Sequence, residues 1–162
     1  MRRDLRVRHA AGGDAAAMSR VLIASISELC VLDHGNDPDV IAGWTRNKSV
    51  EGVGAMLANP DLTLLIAQIG EEIVGVGAVA GGNEIALNYV DPGYVRRGVS
   101  RALLAAMEAE IVSRGFAVGH LTSTRTALEF YRANGWSEDG PPEPGWGMPG
   151  FPMRKRLERD AI

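Results

Sequence analysis

The spacing of hydrophobic positions changes along the chain, and its first third has a helical period. Apolar residues recur every three to four positions over 15–27, and Asp14 precedes them as a candidate N-cap. Shorter helices are predicted over 38–44, which opens on a proline, and over 50–57. The alternation of apolar and polar residues over 5–9 predicts a strand before them.

The middle of the chain has the pattern of strands. Three apolar runs, over 62–69, 73–79 and 84–90, are separated by glycine-containing turns at 70–72 and 81–83. Runs of this length, rich in β-branched residues and joined by short turns, predict an antiparallel meander.

The last third returns to alternating helices and strands. An apolar stripe predicts a helix over 99–111, and a strand follows over 116–123. The Thr-x-x-Glu spacing that starts at Thr126 predicts a capping box at the start of another helix. A Pro/Gly-rich loop precedes a last strand over 151–157. This order predicts an α/β fold with a mixed sheet and a single domain over 1–162.

Composition narrows the function classes. The chain has 162 residues, a net charge of −3 and no run near the ~20 apolar residues of a membrane span, so neither nucleic acid nor a membrane is expected as a partner. The start is basic but lacks the apolar run of a signal peptide. The one cysteine, Cys30, forms no intrachain disulfide, which favours a cytoplasmic protein. No metal-ligand spacing is present, so no metal is expected.

The turn from Val95 to Ser100 is the first candidate for chemistry. It joins a predicted strand to a predicted helix, where successive backbone N–H groups and the helix dipole attract an anion. Gly98 has no Cβ, so a phosphate can approach the backbone, and Arg96 and Arg97 add positive charge. An ordinary turn with two solvated arginines explains the same residues. The patterns of a P-loop and of a dinucleotide fold are both absent.

Two stretches together resemble the GNAT superfamily of N-acetyltransferases. In that family a strand ending V-x-P precedes the turn [QR]-x-x-G-x-[GA], and this chain reads Val90-Asp91-Pro92 and then Val95-Arg96-Arg97-Gly98-Val99-Ser100. Val95 and Ser100 depart from the pattern. The stretch 124–136 is similar to the family's N-x-x-A-x-x-x-Y-x-x-x-G-[FW] element, with Thr124 in place of asparagine.

The resemblance implies a fold and a cofactor. The fold would be a mixed, mostly antiparallel central sheet flanked by helices, with splayed central strands that hold acetyl-CoA. The cofactor-binding residues implied in this chain are Tyr89, Val90, Val95, Arg96, Arg97, Gly98, Val99, Ser100, Ser123 and Thr124. A backbone N–H near Tyr89 or Val90 would polarise the thioester carbonyl.

The resemblance also implies an activity. The chain would transfer the acetyl group of acetyl-CoA to a primary amine of a small molecule or peptide, by direct attack in a ternary complex. Tyr131 matches the family's tyrosine that protonates the leaving thiolate, although a core aromatic is an alternative. Glu84 is the candidate base acting through water, and a solvated strand-end carboxylate is its alternative. The alternative functions are transfer of a longer acyl group and a catalytically silent acyl-CoA-binding module.

The acceptor is expected against residues 25–50 and 136–152. An acidic lean in the first region would suit a cationic amine, and Trp44 would form a wall. A polar loop with one core tryptophan is the alternative explanation. Trp146 and Phe151 border the Pro/Gly-rich loop on the other side. The residues that give the acidic lean are Glu28, Asp33, His34 and Asp37.

A homodimer is a further expectation, since dimers are common in this fold.

Overall fold

The structure, a computed structural model, describes residues 4–145 and 147–157, so the expectation for Trp146 lies outside the described residues. Its centre is a sheet in the order β1-β2-β3-β4-β5-β8-β6, with β7 beside β8. All neighbours are antiparallel except β4 and β5. The strands are β1 (Leu5–His9), β2 (Leu62–Ile69), β3 (Glu72–Ala80), β4 (Glu84–Val90), β5 (Val118–Ser123), β6 (Ser137–Glu138), β7 (Glu143–Pro144) and β8 (Pro149–Arg156).

Helices cover both faces of this sheet. Helices α1 and α4 pack on one face with the inward side chains of β2 and β3, while α5 and α6 pack on the other face. The helices are α1 (Ala15–Leu29), α2 (Val31–His34), α3 (Pro38–Thr45), α4 (Val50–Ala58), α5 (Val99–Ser113) and α6 (Leu128–Ala133). The predicted mixed, mostly antiparallel sheet flanked by helices is confirmed. Within the described residues, every helix is too short or too polar to span a membrane.

The central strand β3 explains how α5 is placed. Its interior is buried on both faces, because helices lie above and below it. A Cβ at Gly75 would lie 2.7 Å from Val99 Cγ1 and 2.8 Å from Leu103 Cδ1, and one at Gly77 would lie 2.9 Å from Met107 Sδ. The missing side chains therefore let α5 approach the sheet closely, which fixes the position of its N-terminus.

Several local predictions are confirmed and others are wrong. The bounds of β2 and β4 agree with the prediction. Asp14 precedes α1 but makes no side-chain cap, since its carboxylate binds Arg8 and the Ala11 N–H instead. The capping box at Thr126 is absent, and α6 begins two residues later. The Thr126 hydroxyl donates instead to Asp33, 93 residues away along the chain. Neighbours six and three residues away thus replaced the predicted cap at Asp14, and a long-range partner replaced the one at Thr126.

The strands β4 and β5 part soon after they meet. They pair in parallel only at Glu84–His120 and Ile85–Leu121, near the start of β4. Strand β5 instead pairs along its whole length with β8. From Ala86 onward, the edge of β4 that faces β5 has no backbone partner in the described sheet. The predicted splay of the central strands is present. The prediction of one domain over 1–162 stays a prediction.

Candidate active site

The gap between β4 and β5 is a cleft with polar and aromatic walls. One wall is the β4 stretch 85–89, and the other combines the end of β5 with the start of α6. The cleft exists because β4 turns away from β5 while β5 stays paired with β8. Its lining residues are Ile85, Ala86, Leu87, Asn88, Tyr89, Leu121, Thr122, Ser123, Thr124, Ala127 and Tyr131.

Free backbone donors lie at the N-terminus of α5. Among the described residues, no N–H group from Val95 to Arg101 donates a hydrogen bond to protein, and the ladder of α5 begins with Ala102 N–H to the Gly98 carbonyl. Gly98 has φ 81, and a Cβ there would meet nothing within 4 Å. Several N–H groups at the positive end of a helix dipole form an anion site, and glycine keeps the approach open.

Two arginines, Arg96 and Arg97, belong to the same turn. Arg96 has φ 63, a left-handed conformation that is costly for a residue with a Cβ. The guanidinium of Arg97 lies 5.2 Å from the centroid of the Tyr94 ring. The preceding turn is fixed by Asp91, whose Oδ1 accepts the Gly93 N–H at 2.8 Å. Three of the predicted cofactor residues, Arg96, Arg97 and Gly98, thus belong to the segment whose N–H groups are free.

Tyr131 lines the cleft from α6. Its side chain is buried and packs edge-to-face against Phe130 and Trp136. Burial raises the pKa of Tyr131 to about 12, and the nearby Asn88 amide opposes that rise. The phenol is therefore protonated at neutral pH. Tyr131 is a packed aromatic that also lines the cleft, and its role as an acid stays a prediction.

Asn88 supplies an unsatisfied acceptor to the same cleft. Its Nδ2 donates to the Ser100 carbonyl at 3.4 Å, which connects β4 to the first turn of α5. Its Oδ1 is buried and has no hydrogen-bond partner in the described part of the chain. A buried unpaired oxygen is costly, and in a native site it indicates a position where a ligand donor binds.

The backbone of β4 presents further donors. Asp91 N–H donates to the Val74 carbonyl at 2.8 Å, and Tyr89 lies opposite Val76 in the same register. Because N–H groups alternate between the two edges of a strand, Tyr89 N–H points to β3, while Asn88 and Val90 N–H point to the cleft. Of the two predicted carbonyl donors, the alternation favours Val90. The Tyr89 side chain is partly buried against Trp44 and Cys30, and desolvation raises its pKa.

Ser123 and Thr124 lie on the opposite wall, as expected from the sequence. Ser123 Oγ donates to the Thr124 carbonyl at 2.7 Å and keeps its lone pairs for a second bond. Thr124 Oγ1 accepts the Ala127 N–H at 3.1 Å and keeps its own hydrogen. Thr124 thus closes the turn that precedes α6, while the helix itself has no side-chain cap. Ser123 Oγ thus keeps two acceptor positions, and Thr124 Oγ1 keeps its donor and one acceptor position.

Glu84 stands apart from the other predicted site residues. It begins β4, is exposed, and lies opposite Ala80 on one side and His120 on the other. The lining of the cleft begins one residue later, at Ile85. The structure therefore places Glu84 at the closed end of the cleft, where β4 and β5 are still paired.

The acidic residues expected to attract a cationic acceptor mostly have structural partners. Asp33 accepts the N–H groups of Arg125 and Thr126, and Asp37 caps α3 by accepting the Asp39 N–H. His34 is buried, and its Nε2 contacts the Ile26 carbonyl at 2.8 Å while its Nδ1 accepts the Asn36 N–H at 3.0 Å. These bonds hold the imidazole in place. No cluster of potential metal ligands occurs among the described residues.

Two polar residues of this region were missed from the sequence. Asp33 was read as part of an acidic surface, although it fixes the loop before α6. Lys48 was not singled out, although it is only 8% exposed and lines a second cavity. The available signal for Lys48 was its position among the short helices of the predicted acceptor region, but burial of a lysine has no local signature.

The sheet, its splayed strands and the anion site define a cleft suited to a long ligand with a phosphate group at one end. Comparison with known proteins agrees with this description. Residues 20–157 match the acetyltransferase (GNAT) domain family, and the chain therefore belongs to the GNAT family. The resemblance noted from the two sequence motifs is confirmed.

Solved structures of this family share the fold. A GCN5-related N-acetyltransferase from Rhodopseudomonas palustris is 24% identical, with a TM-score of 0.85 over 97% of this chain and 98% of that one. The PaiA N-acetyltransferase from Thermoplasma acidophilum, solved with coenzyme A, is 19% identical, with a TM-score of 0.78 over 94% and 99%. An aminoglycoside 6'-N-acetyltransferase complexed with coenzyme A is 16% identical, with a TM-score of 0.66 over 97% and 99%. No curated protein matches the sequence.

Proposed function

We propose that this protein transfers the acetyl group of acetyl-CoA to a primary amine of a small molecule or peptide. One observation carries the proposal. The free N–H groups from Val95 to Arg101 belong to a segment that Asn88 bonds through the Ser100 carbonyl, and Asn88 lines a cleft whose walls carry a buried tyrosine and an unpaired amide oxygen. An anion site joined to a narrow polar cleft fits the diphosphate and the amide-containing arm of coenzyme A.

The residues present fit this cosubstrate at both ends. The N–H groups and the arginines at the start of α5 would hold the diphosphate. Asn88 Oδ1 and the hydroxyls of Ser123 and Thr124 would bond the pantetheine amides, because they keep unused positions. Acetyl-CoA supplies the activated thioester. The same coenzyme is present in two of the neighbouring structures, which supports the proposal.

Tyr131 is the proposed acid. In the reaction the C–N bond forms, the C–S bond breaks, and the departing sulfur takes a proton. The Tyr131 phenol holds that proton at neutral pH, since burial raises its pKa to about 12. The thiol of coenzyme A in the same desolvated cleft has its pKa raised for the same reason. The pKa values of the phenol that gives the proton and of the sulfur that takes it therefore stay close.

The β4 backbone is the proposed stabiliser of the carbonyl oxygen. Val90 N–H points to the open edge, where negative charge develops during attack. The amine must lose a proton before or during attack, because a free alkylamine has a pKa of about 10.4. Glu84 is the proposed base and would act through water, since it lies just outside the lining of the cleft.

The experiment that tests this function separates binding from transfer. Acetyl-CoA should raise the melting temperature of the protein, while ATP, which also carries phosphates, should not. A thiol-release screen against polyamines, amino acids, aminoglycosides and peptides should then find an acceptor. Stabilisation by ATP alone would contradict the proposal. Stabilisation by acetyl-CoA with no thiol release from any acceptor would favour the silent binding module, and a preference for longer acyl-CoA would change the donor.

A further inference from the structure

A second cavity lies beside the cleft and holds a buried lysine. Its volume is about 510 Å³, within the range of small-molecule sites. Lys48 is the only charged side chain among its described lining residues, and the rest are apolar or amides. The lining residues are Asn47, Lys48, Gly52, Ala55, Met56, Asn59, Leu62, Ala78, Ala86 and Leu87.

The charge of Lys48 has no counterion in the described part of the chain. Its Nζ donates to Asn47 Oδ1 at 2.7 Å and to the Trp44 carbonyl at 3.3 Å, and both acceptors are neutral. Lys155, by contrast, pairs with Glu108 at 2.8 Å. Desolvation lowers the pKa of Lys48, and no acid in the part of the chain that the structure describes opposes this effect. An uncompensated buried cation is costly unless an anion completes the site.

The Lys48 cavity and the cleft share part of their walls. Ala86 and Leu87 line both. Strand β3 pairs Ala78 with Leu87 and Val79 with Ile85, so Ala86 is the extra residue of a β-bulge. Strand β5 ends its pairing with β4 at Ile85, immediately before this bulge. A ligand held in the Lys48 cavity therefore lies next to the cleft, at the point where the two strands part.

The charges favour a carboxylate. Asp33 and Asp37 are occupied by backbone N–H groups, so they offer little to a cationic acceptor. A single lysine neutralises one negative charge, which matches a carboxylate better than a phosphate of charge about −1.5 to −2. Met56 and Leu62 would cover an apolar side chain next to it.

We propose that the Lys48 cavity binds the carboxylate of the acceptor, so that the acceptor is an amine that also carries a carboxylate, such as an α-amino acid. This inference rests on the proposed acetyl transfer and names its substrate class. Lys48 would orient the acceptor, and the amine would enter the cleft past Ala86.

Product analogues test the inference without turnover. N-acetyl derivatives of alanine, leucine and phenylalanine would be compared with their C-terminal amides, by isothermal titration with and without coenzyme A. We expect at least one acid to bind about tenfold or more tightly than its amide, because the amide loses the charge-assisted hydrogen bond. Inorganic phosphate is the competing anion and should bind more weakly than that acid.

Two variants test whether Lys48 causes the preference for the acid over its amide. Lys48→Met should abolish the preference for the acid, while Arg46→Met, which removes an exposed charge two residues away, should keep it. If Lys48→Met fails to fold, the acid–amide comparison on the unaltered protein decides alone. Equal binding of acids and amides in every pair, or tighter binding of phosphate, would overturn the inference. The proposed acetyl transfer would survive that result, because stabilisation by acetyl-CoA and thiol release are measured separately.

Discussion

Asp33 accepts two hydrogen bonds from Thr126, although the residues are 93 positions apart. Asp33 Oδ2 accepts the Thr126 N–H at 3.1 Å and its hydroxyl at 2.5 Å, and Oδ1 accepts the Arg125 N–H at 2.6 Å. The loop fixed in this way connects β5 to α6, which carries Tyr131. The short helix α2, which carries Asp33, thus sets the position of one wall of the cleft.

Asp33→Ala should therefore destabilise the protein by about 2 kcal/mol, since it leaves several donors without an acceptor. Asp39→Ala is the matched control, because Asp39 is exposed in the first turn of α3, and it should cost at most about 0.5 kcal/mol. Urea unfolding measures both values. Equal effects of the two substitutions would mean that the Asp33 bonds contribute little to stability.

Tyr131→Phe should lower turnover by about a hundredfold or more, because the variant keeps the ring but loses the proton donor. The affinity for acetyl-CoA should change by less than about threefold, since the proposed coenzyme contacts lie on β4, the end of β5 and α5. Initial rates of thiol release and titration with acetyl-CoA give the two numbers. Full turnover in the variant would leave Tyr131 as a packing residue only.

Glu84→Gln should lower kcat/KM most near neutral pH, where the amine still carries its proton, and least above about pH 10.4, where the amine is already deprotonated. Acetyl-CoA affinity should be unchanged. The position of Glu84 outside the cleft predicts a smaller effect than that of Tyr131→Phe. The pH profile of kcat/KM is the measurement. An identical profile for the variant and the unaltered protein would assign proton removal to water alone.

Gly98→Ala should weaken acetyl-CoA binding by about tenfold, because a Cβ would occupy the open side of the anion site. The variant should also lose about 1 kcal/mol of stability, since Gly98 has φ 81. Gly54→Ala is the contrasting control. Gly54 lies inside α4 with open space around its Cβ position, so alanine should raise stability by about 0.5–1 kcal/mol. Unchanged coenzyme affinity in Gly98→Ala would mean that the diphosphate does not bind at this turn.

Alkaline pH should destabilise the protein through Cys30. Burial raises the pKa of its thiol to about 12 from 9.0, so the folded state keeps a proton that the unfolded state releases. Stability must therefore fall as pH rises above 9.0, by about 1.4 kcal/mol for each pH unit until about 12. Urea unfolding at pH 8 and pH 10 measures this fall in the free energy of unfolding. The Cys30→Ala variant should show only a small part of it. An equal fall in Cys30→Ala would assign it to the buried tyrosines.

The parts of the site whose residues are consecutive in the chain could be predicted from the sequence. The strand that ends at Val90, the turn around Gly98 and the start of α5 are consecutive, so their geometry follows from local turn and helix chemistry. The splay of β4 from β5 was expected only through the resemblance, because pairing of β5 with β8 depends on strands far apart in the chain. The choice between Tyr89 and Val90 as carbonyl donor needed the register of β4 on β3.

The sequence by itself determined the element order, the bounds of β2 and β4, the anion turn and the family, because periodicity and glycine placement act over a few residues. Tertiary structure decided that Thr126 binds the distant Asp33 in place of capping a helix, that Asp33 fixes the wall of the cleft, and that Lys48 is buried with no counterion among the described residues. A polar side chain bonds to whichever partner lies nearest in the folded chain. That partner is set by packing between segments, which no local pattern records.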